Sequence, residues 1–200
     1  MKTREIKDIY QFKITMKDIS PSIWRRIVVP GSYTFWDLHV AIQDVMGWTT
    51  SHLHSFRRTI NRNNYVTIET PSEEFVDDFG PEPLPERKEK IANWFSKELK
   101  TFIYTYDFGD DWEHEIKLEK ILPANEKIKY PLCLSGERAC PPEDCGGAYG
   151  YDELLEIVKN PKHKEHKETM EWLGGEFDPE LFDCNNVHFT NPEKMWKLYQ

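Results

Sequence analysis

Two hundred residues suffice for one large domain or two small ones, and a chain that is 38% hydrophobic and 14% aromatic, with seven tryptophans, is not disordered. The net charge of −9 and a pI near 5.3 argue against a protein that coats nucleic acid, without excluding a local basic patch. No apolar run approaches a membrane span and MKTREIKDIY lacks a signal peptide's apolar core, so a cytoplasmic chain is expected, its four cysteines being thiols or metal ligands.

In YQFKITMKD the residues Phe12, Ile14 and Met16 alternate with polar neighbours, which predicts a half-buried strand. IWRRIVVP reads as a second, more buried strand. Period two there places either Arg25 or Arg26 on an apolar face, where a carboxylate partner is expected. Thr34 opens a helix with a capping-box pattern to Asp37, an apolar stripe through Phe35, Leu38, Ile42 and Val45, and a stop at Gly47. HLHSFRRTI and YVTIE follow as strands around a turn at 61–64. The acidic, proline-rich stretch 70–90 has nothing obvious to bury and reads as a loop, and KIANWF after it is a short amphipathic segment.

The clearest hairpin runs from Phe102 to Leu118. Phe102, Tyr104, Tyr106 and Phe108 alternate on one strand, and Trp112, His114, Ile116 and Leu118 on the return, around a turn at Gly109-Asp110-Asp111. From Ala148 the period becomes helical, and Asn160-Pro161 and Asn191-Pro192 open two further helices. This predicts an α+β chain, one domain over 1–200. Its sheet is expected to be mostly antiparallel, with helices packed on one side and a helical C-terminal third.

ACPPEDCGGAYGY holds Cys140 and Cys145, and with His163 and His166 the pattern is C-x4-C-x17-H-x2-H, close to a zinc-finger spacing but outside it. Zinc is the cofactor these four could hold, with Cys133 and Cys184 as other donors. The competing reading is a proline-fixed turn that leads into the next helix, and the spacing favours that turn. His52-x-His54 on a strand would point both imidazoles one way, so that a carboxylate such as Asp107 or Asp110 could complete a metal site. A hydrogen-bonded pair at a sheet edge is the commoner outcome. Asp107-Phe-Gly matches a kinase tripeptide without any other kinase feature, and His114 on the apolar strand face reads as a core histidine. Arg57, Arg58 and Arg62 make a small basic cluster that adjacent acids would neutralise. The polar side chains idle for folding (Arg26, His52, His54, Asp107 and Asp110) are expected to form one pocket where the HLH strand approaches the 107–111 turn.

PSIWRRIVVP, LHVAIQDVMGW, HLHSF, YTYDFGDDWEH, ACPPEDCGGAYGY and EWLGGEFDPELFD, in this order, resemble the family named after open reading frame three of the agropine Ri plasmid. The resemblance runs from about residue 9 to 187. It implies a domain of unknown function. The resolvase and repressor labels given to some members do not carry over, because this chain shows neither a helix-turn-helix nor a resolvase-like catalytic arrangement. Its motif positions here include Trp24, Arg25, Arg26, His39, Gln43, Trp48, His52, His54, Asp107, Asp110, Trp112 and His114. They continue through Cys140, Glu143, Asp144, Cys145, Tyr151 and Trp172. The expectation is a non-catalytic module that binds a protein or nucleic-acid partner; the alternative is a metal-dependent hydrolase built on the His/Asp cluster.

Overall fold

The computed structural model describes residues 6–62, 64–70 and 81–199. Its frame is one sheet of eight strands: β1 (Asp8–Met16), β2 (Trp24–Pro30), β3 (His54–Asn61), β4 (Asn64–Glu69), β5 (Leu84–Pro85), β6 (Thr101–Tyr106), β7 (Trp112–Pro123) and β8 (Leu132–Glu137). Their order across the sheet is β5-β4-β3-β6-β7-β1-β2-β8. Among the described residues five α-helices accompany it: α1 (Phe35–Met46), α2 (Ile91–Trp94), α3 (Gly147–Lys159), α4 (His166–Trp172) and α5 (Pro192–Tyr199), with a 3-10 turn at Cys184–Asn186.

The alternation of β1, β6 and β7 has the consequence that period two requires. Phe12, Ile14, Phe102, Tyr104, Tyr106, Trp112, His114 and Ile116 are buried, while Glu115 and Lys117 between them are exposed. α1 lies in this core. Thr34 caps it in both senses of a capping box, Asp37 N–H donating to Thr34 Oγ1 at 3.2 Å and Thr34 N–H to Asp37 Oδ2 at 2.8 Å. Gly47 ends it in the left-handed region at φ 85°. The Phe35 ring meets Phe56 at 5.0 Å and Phe102 at 5.1 Å, both edge-on, which locks the helix to β3 and β6.

The expected fold class needs correction. The β4–β5 pairing is parallel, so the sheet is mixed, and β5 and β8 are strands the sequence did not announce. The C-terminal third is not helical. It opens with β8, and its helices α3, α4 and α5 are separated by turns and irregular chain, with no buried residue in α4 or α5. The helical stripes there are short, and most of their side chains cover the surface. The stretch 70–90 is also corrected in its described half, since β5 pairs with β4 and Glu86 is 1% exposed. Residues 71–80 lie outside the described residues.

Of the two arginines in β2, Arg25 faces the core and is 1% exposed. Backbone carbonyls rather than a carboxylate satisfy it: Nε donates to Val45 O at 2.8 Å, and Nη1 to Trp24 O and Glu137 O at 2.9 Å. Its guanidinium lies 3.7 Å from the Phe182 ring centroid. Burial pulls its pKa down from the usual arginine value, against the upward pull of the nearby Cys140 and Cys133.

Candidate functional site

Three loops meet at one end of the sheet. They are the connection 47–53 between α1 and β3, the hairpin turn 107–111 between β6 and β7, and the turn 141–146 ahead of α3. Thr50, Asp107 and Asp144, one from each loop, hold left-handed backbone at φ 62°, 56° and 60°. Non-glycine residues bear such conformations at a cost that concentrates at functional positions. Gly147 locks the turn–turn approach: a Cβ there would come 2.6 Å from Asp110 O, and its φ is 67°. Asp110 Oδ2 accepts from Gly146 N–H at 3.1 Å. Glu143 ties the other pair of loops, accepting from Tyr106 O–H at 2.5 Å and from Thr49 Oγ1 at 2.6 Å and Thr49 N–H at 3.1 Å. The Trp48 indole donates to Pro141 O at 2.9 Å.

Inside this frame the His52 ring sits between two carboxylates. Its Nδ1 is 3.7 Å from Asp107 Oδ2, and its Nε2 is 3.1 Å from Asp144 Oδ1. The second contact is as short as a hydrogen bond but lacks hydrogen-bond alignment, and Nε2 is out of contact with solvent. Asp107 uses Oδ1 to accept from Gly109 N–H at 2.9 Å, which fixes the carboxylate and leaves Oδ2 toward His52. One ligand atom from each of His52, Asp107 and Asp144 lies within 4.8 Å of the others. Neither aspartate has an ion pair with Lys or Arg among the described residues. Asp144 is the open member, its side chain 71% exposed. Beside it a hollow of about 300 Å³ runs between α3 and α4, lined by Leu154, Ile157, Thr169 and the half-exposed Trp172.

The five side chains expected in one pocket are placed as follows. His52 and Asp107 come together. Asp110 serves the Gly146 amide instead. Arg26 is on the outer face of the sheet, where Nε and Nη2 grip Glu119 at 2.7 and 2.9 Å. His54 turns into the core, because β3 begins at His54 and His52 stands ahead of the ladder, free of its alternation.

In the core, His54 Nε2 lies 2.7 Å from Glu86 Oε2, both side chains being 1% exposed. Thr70 donates to the other Glu86 oxygen. The His39 imidazole stacks on His54 with centroids 3.4 Å apart and planes within 4°. His39 Nδ1 is 2.8 Å from Tyr104 Oη, which also accepts from Gln43 Nε2 at 2.9 Å. With Gln43 donating, the Tyr104 hydroxyl is free to donate to His39 Nδ1, which puts the His39 proton on Nε2, an atom without a partner. Gln43 Oε1 in turn accepts from Thr50 N–H at 3.0 Å, so this buried chain reaches the loop that carries His52.

The proposed cysteine–histidine set does not come together in the same way. His166 Nδ1 faces Ile157 O at 2.9 Å and His163 Nδ1 accepts from Glu165 N–H at 3.3 Å. Among the described residues, the group with metal-ligand spacing contains none of Cys140, Cys145, His163 and His166. Burial pushes the Cys145 thiol up to about 12 and the Cys140 thiol higher still. Residues 141–146 form a turn, and α3 starts at Gly147 behind the left-handed Gly146. The sequence reading missed Asp144 as a partner of His52 and Glu86 as a partner of His54. Only the PPED turn hinted at the first, and nothing local hinted at the second.

The molecule is thus a mixed-sheet protein whose end loops bring a histidine and two aspartates together. The chain belongs to the plasmid pRiA4b ORF-3-like protein family, which it matches over residues 8–186. It is 38% identical over 170 residues to the uncharacterised protein y4hQ of Sinorhizobium fredii, covering 84% of this chain and 82% of that one. It also resembles the crystal structure of MM3350, a protein of unknown function from Methanosarcina mazei Go1. There the TM-score is 0.83 and the identity 44%, over 92% of this chain and 100% of the other. No described helix is long and apolar enough to cross a membrane.

Proposed function

We propose that this protein is a binding module that holds a divalent ion of the zinc or manganese class at His52, Asp107 and Asp144, and through it an anionic group of its partner. One observation carries the reading: His52 Nε2 and Asp144 Oδ1 are 3.1 Å apart without hydrogen-bond alignment. Two ligands of one ion with bonds near 2.1 Å stand roughly 3–3.5 Å apart, and their lone pairs converge on the ion rather than on each other. One imidazole and two carboxylates suit zinc or manganese better than the soft-ligand metals. Asp107 is anchored by Gly109, as supporting contacts anchor ligands elsewhere.

Metal-assisted hydrolysis is the second reading, and the number of ligands favours it. Three protein ligands with one of them exposed leave coordination positions to water and substrate, whereas a structural zinc site is closed by four. The hollow beside Asp144 gives the partner or substrate a seat against Trp172.

Protein prepared without an affinity tag and stripped by a chelator should take up one zinc or manganese ion per chain in a titration. Asp107→Asn and Asp144→Asn should each weaken that uptake by at least about tenfold. Asp144 is exposed, so its variant keeps the fold. No saturable uptake at millimolar metal, or uptake that neither variant alters, would overturn the site. Turnover of phosphate or carboxylic esters that needs the metal and is lost in Asp144→Asn would select the hydrolytic reading.

A further inference from the structure

The outer face of the sheet, remote from the core that α1 fills, carries an arrangement that folding does not explain. In the register of the sheet Lys13 of β1 stands opposite Arg26 of β2 on one side and opposite Lys117 of β7 on the other. Three cations therefore lie abreast on three adjacent strands, where directly opposed like charges destabilise a sheet. Only part of that repulsion is relieved internally. Arg26 grips Glu119, and Lys13 lies 4.7 Å from the Trp24 ring centroid. Among the described residues, Lys117 and its neighbours Lys100 and Lys120 have no carboxylate within ion-pair distance.

Arg26, Lys100, Lys117 and Lys120 border a shallow hollow of about 580 Å³, which Gln11, Leu118 and Glu119 also line. Glu119 is the one acid in the lining, and its carboxylate is committed. It accepts from Arg26 at 2.7 and 2.9 Å and from Gln11 Nε2 at 2.7 Å. Arg26 foremost, then Gln11 and Lys13, bring its pKa down to about 2. The hollow thus keeps an excess of positive charge in a chain whose net charge is −9.

The surroundings decide how large an anion fits. On the same face Glu115 stands opposite Thr15, which is opposite Trp24, which is opposite Glu137, two residues along from the cationic row. A long polyanion would cross these acids, whereas a compact one stays within the hollow. We propose that this hollow binds a compact ligand carrying two or more linked phosphates. The lysines supply point charges, and the locked Arg26–Glu119–Gln11 group supplies a rigid wall.

The test is calorimetric titration of metal-free protein, in chelator and low salt, with inorganic tripolyphosphate, ATP, orthophosphate and a single-stranded oligonucleotide. Chelator keeps the outcome separate from that of the metal site. Tripolyphosphate or ATP should bind saturably, orthophosphate at least about tenfold more weakly, with affinity falling steeply as salt rises. Lys117→Gln combined with Lys120→Gln should weaken binding at least about tenfold, while Lys194→Gln, exposed on α5, should not. Because the row is repulsive when empty, Lys117→Gln should also raise the melting temperature of the free protein by about 1–3 °C. A merely structural lysine would lower it. Absence of saturable binding, undiminished binding in the double variant, or tighter binding of the oligonucleotide than of tripolyphosphate would each overturn the proposal.

Discussion

Replacing Glu86 with alanine is expected to cost the fold about 1–3 kcal/mol, the range for leaving a buried polar group without its hydrogen-bond partner. The carboxylate is 1% exposed and faces His54 Nε2 at 2.7 Å, while its second oxygen accepts from Thr70. Removing it strands the His54 ring, whose other nitrogen already lacks a partner, against the stacked His39. It also removes the side-chain link to Thr70 beside β4, while the backbone bond from Glu86 N–H to Glu69 O at 3.1 Å survives the change. Urea denaturation at neutral pH measures the loss. A double variant, Glu86→Leu with His54→Leu, isolates the pair, because apolar replacement of both partners of a buried pair is often close to neutral. The double variant should therefore recover much of the stability lost in Glu86→Ala. A loss below about half a kcal/mol in Glu86→Ala would mean that this segment is a solvated loop, as its composition suggests.

That contrast marks where the sequence was legible. The β1, β6 and β7 faces and the Thr34–Asp37 cap depend on residues within one strand or one turn, and each was readable from period and spacing. β5 is two residues, and its pairing depends on β4, far along the chain. No local pattern encodes it, and a stretch rich in proline and acids hides Glu86, the one buried acid among its described residues. β8 was missed for a related reason. LCLSGE lies at the sheet edge with no fully buried residue, so it has no alternation to show. Period two left open whether Arg25 or Arg26 is buried and pointed to a carboxylate partner; the buried one is Arg25, and its partners are three carbonyls of Trp24, Val45 and Glu137, which only the fold brings together. In the site, H-x-H suggested two imidazoles on one face. The ladder begins at His54, and that one-residue detail sends His52 to the aspartates and His54 to the core.

Acid should unfold this protein through its buried histidines, well before its carboxylates are titrated. His114 is fully buried between Trp48, Tyr104 and the strand neighbours of β7, and neither ring nitrogen has a partner. Burial, opposed by the nearby backbone of Tyr104 and Trp112 and aided by the Arg25 charge, brings its pKa from the usual 6.5 down to about 4. His39 is lowered well below 6.5 by burial first and by His54 second. Between those limits the unfolded chain binds a proton at each position and the native one does not. Stability therefore rises with pH across this window, being complete above the unfolded value and lost as pH falls toward 4. For His114 the loss from about pH 7 to pH 5 is roughly 2 kcal/mol, and His39 adds to it in the same direction. Asp37, Asp44 and Glu69 work against this, since burial raises each of their pKa values and acid then favours the native state. The slope of wild-type stability alone is thus a mixture, and His114→Leu separates it. This variant removes two buried nitrogens that lack well-aligned hydrogen bonds, so it should fold about as well as wild type at pH 7. At pH 5 its advantage should grow by about 2 kcal/mol, measured by urea denaturation at both values. Parallel loss of stability in variant and wild type would show that His114 is protonated in the native state or reached by water, and that the acid sensitivity lies elsewhere.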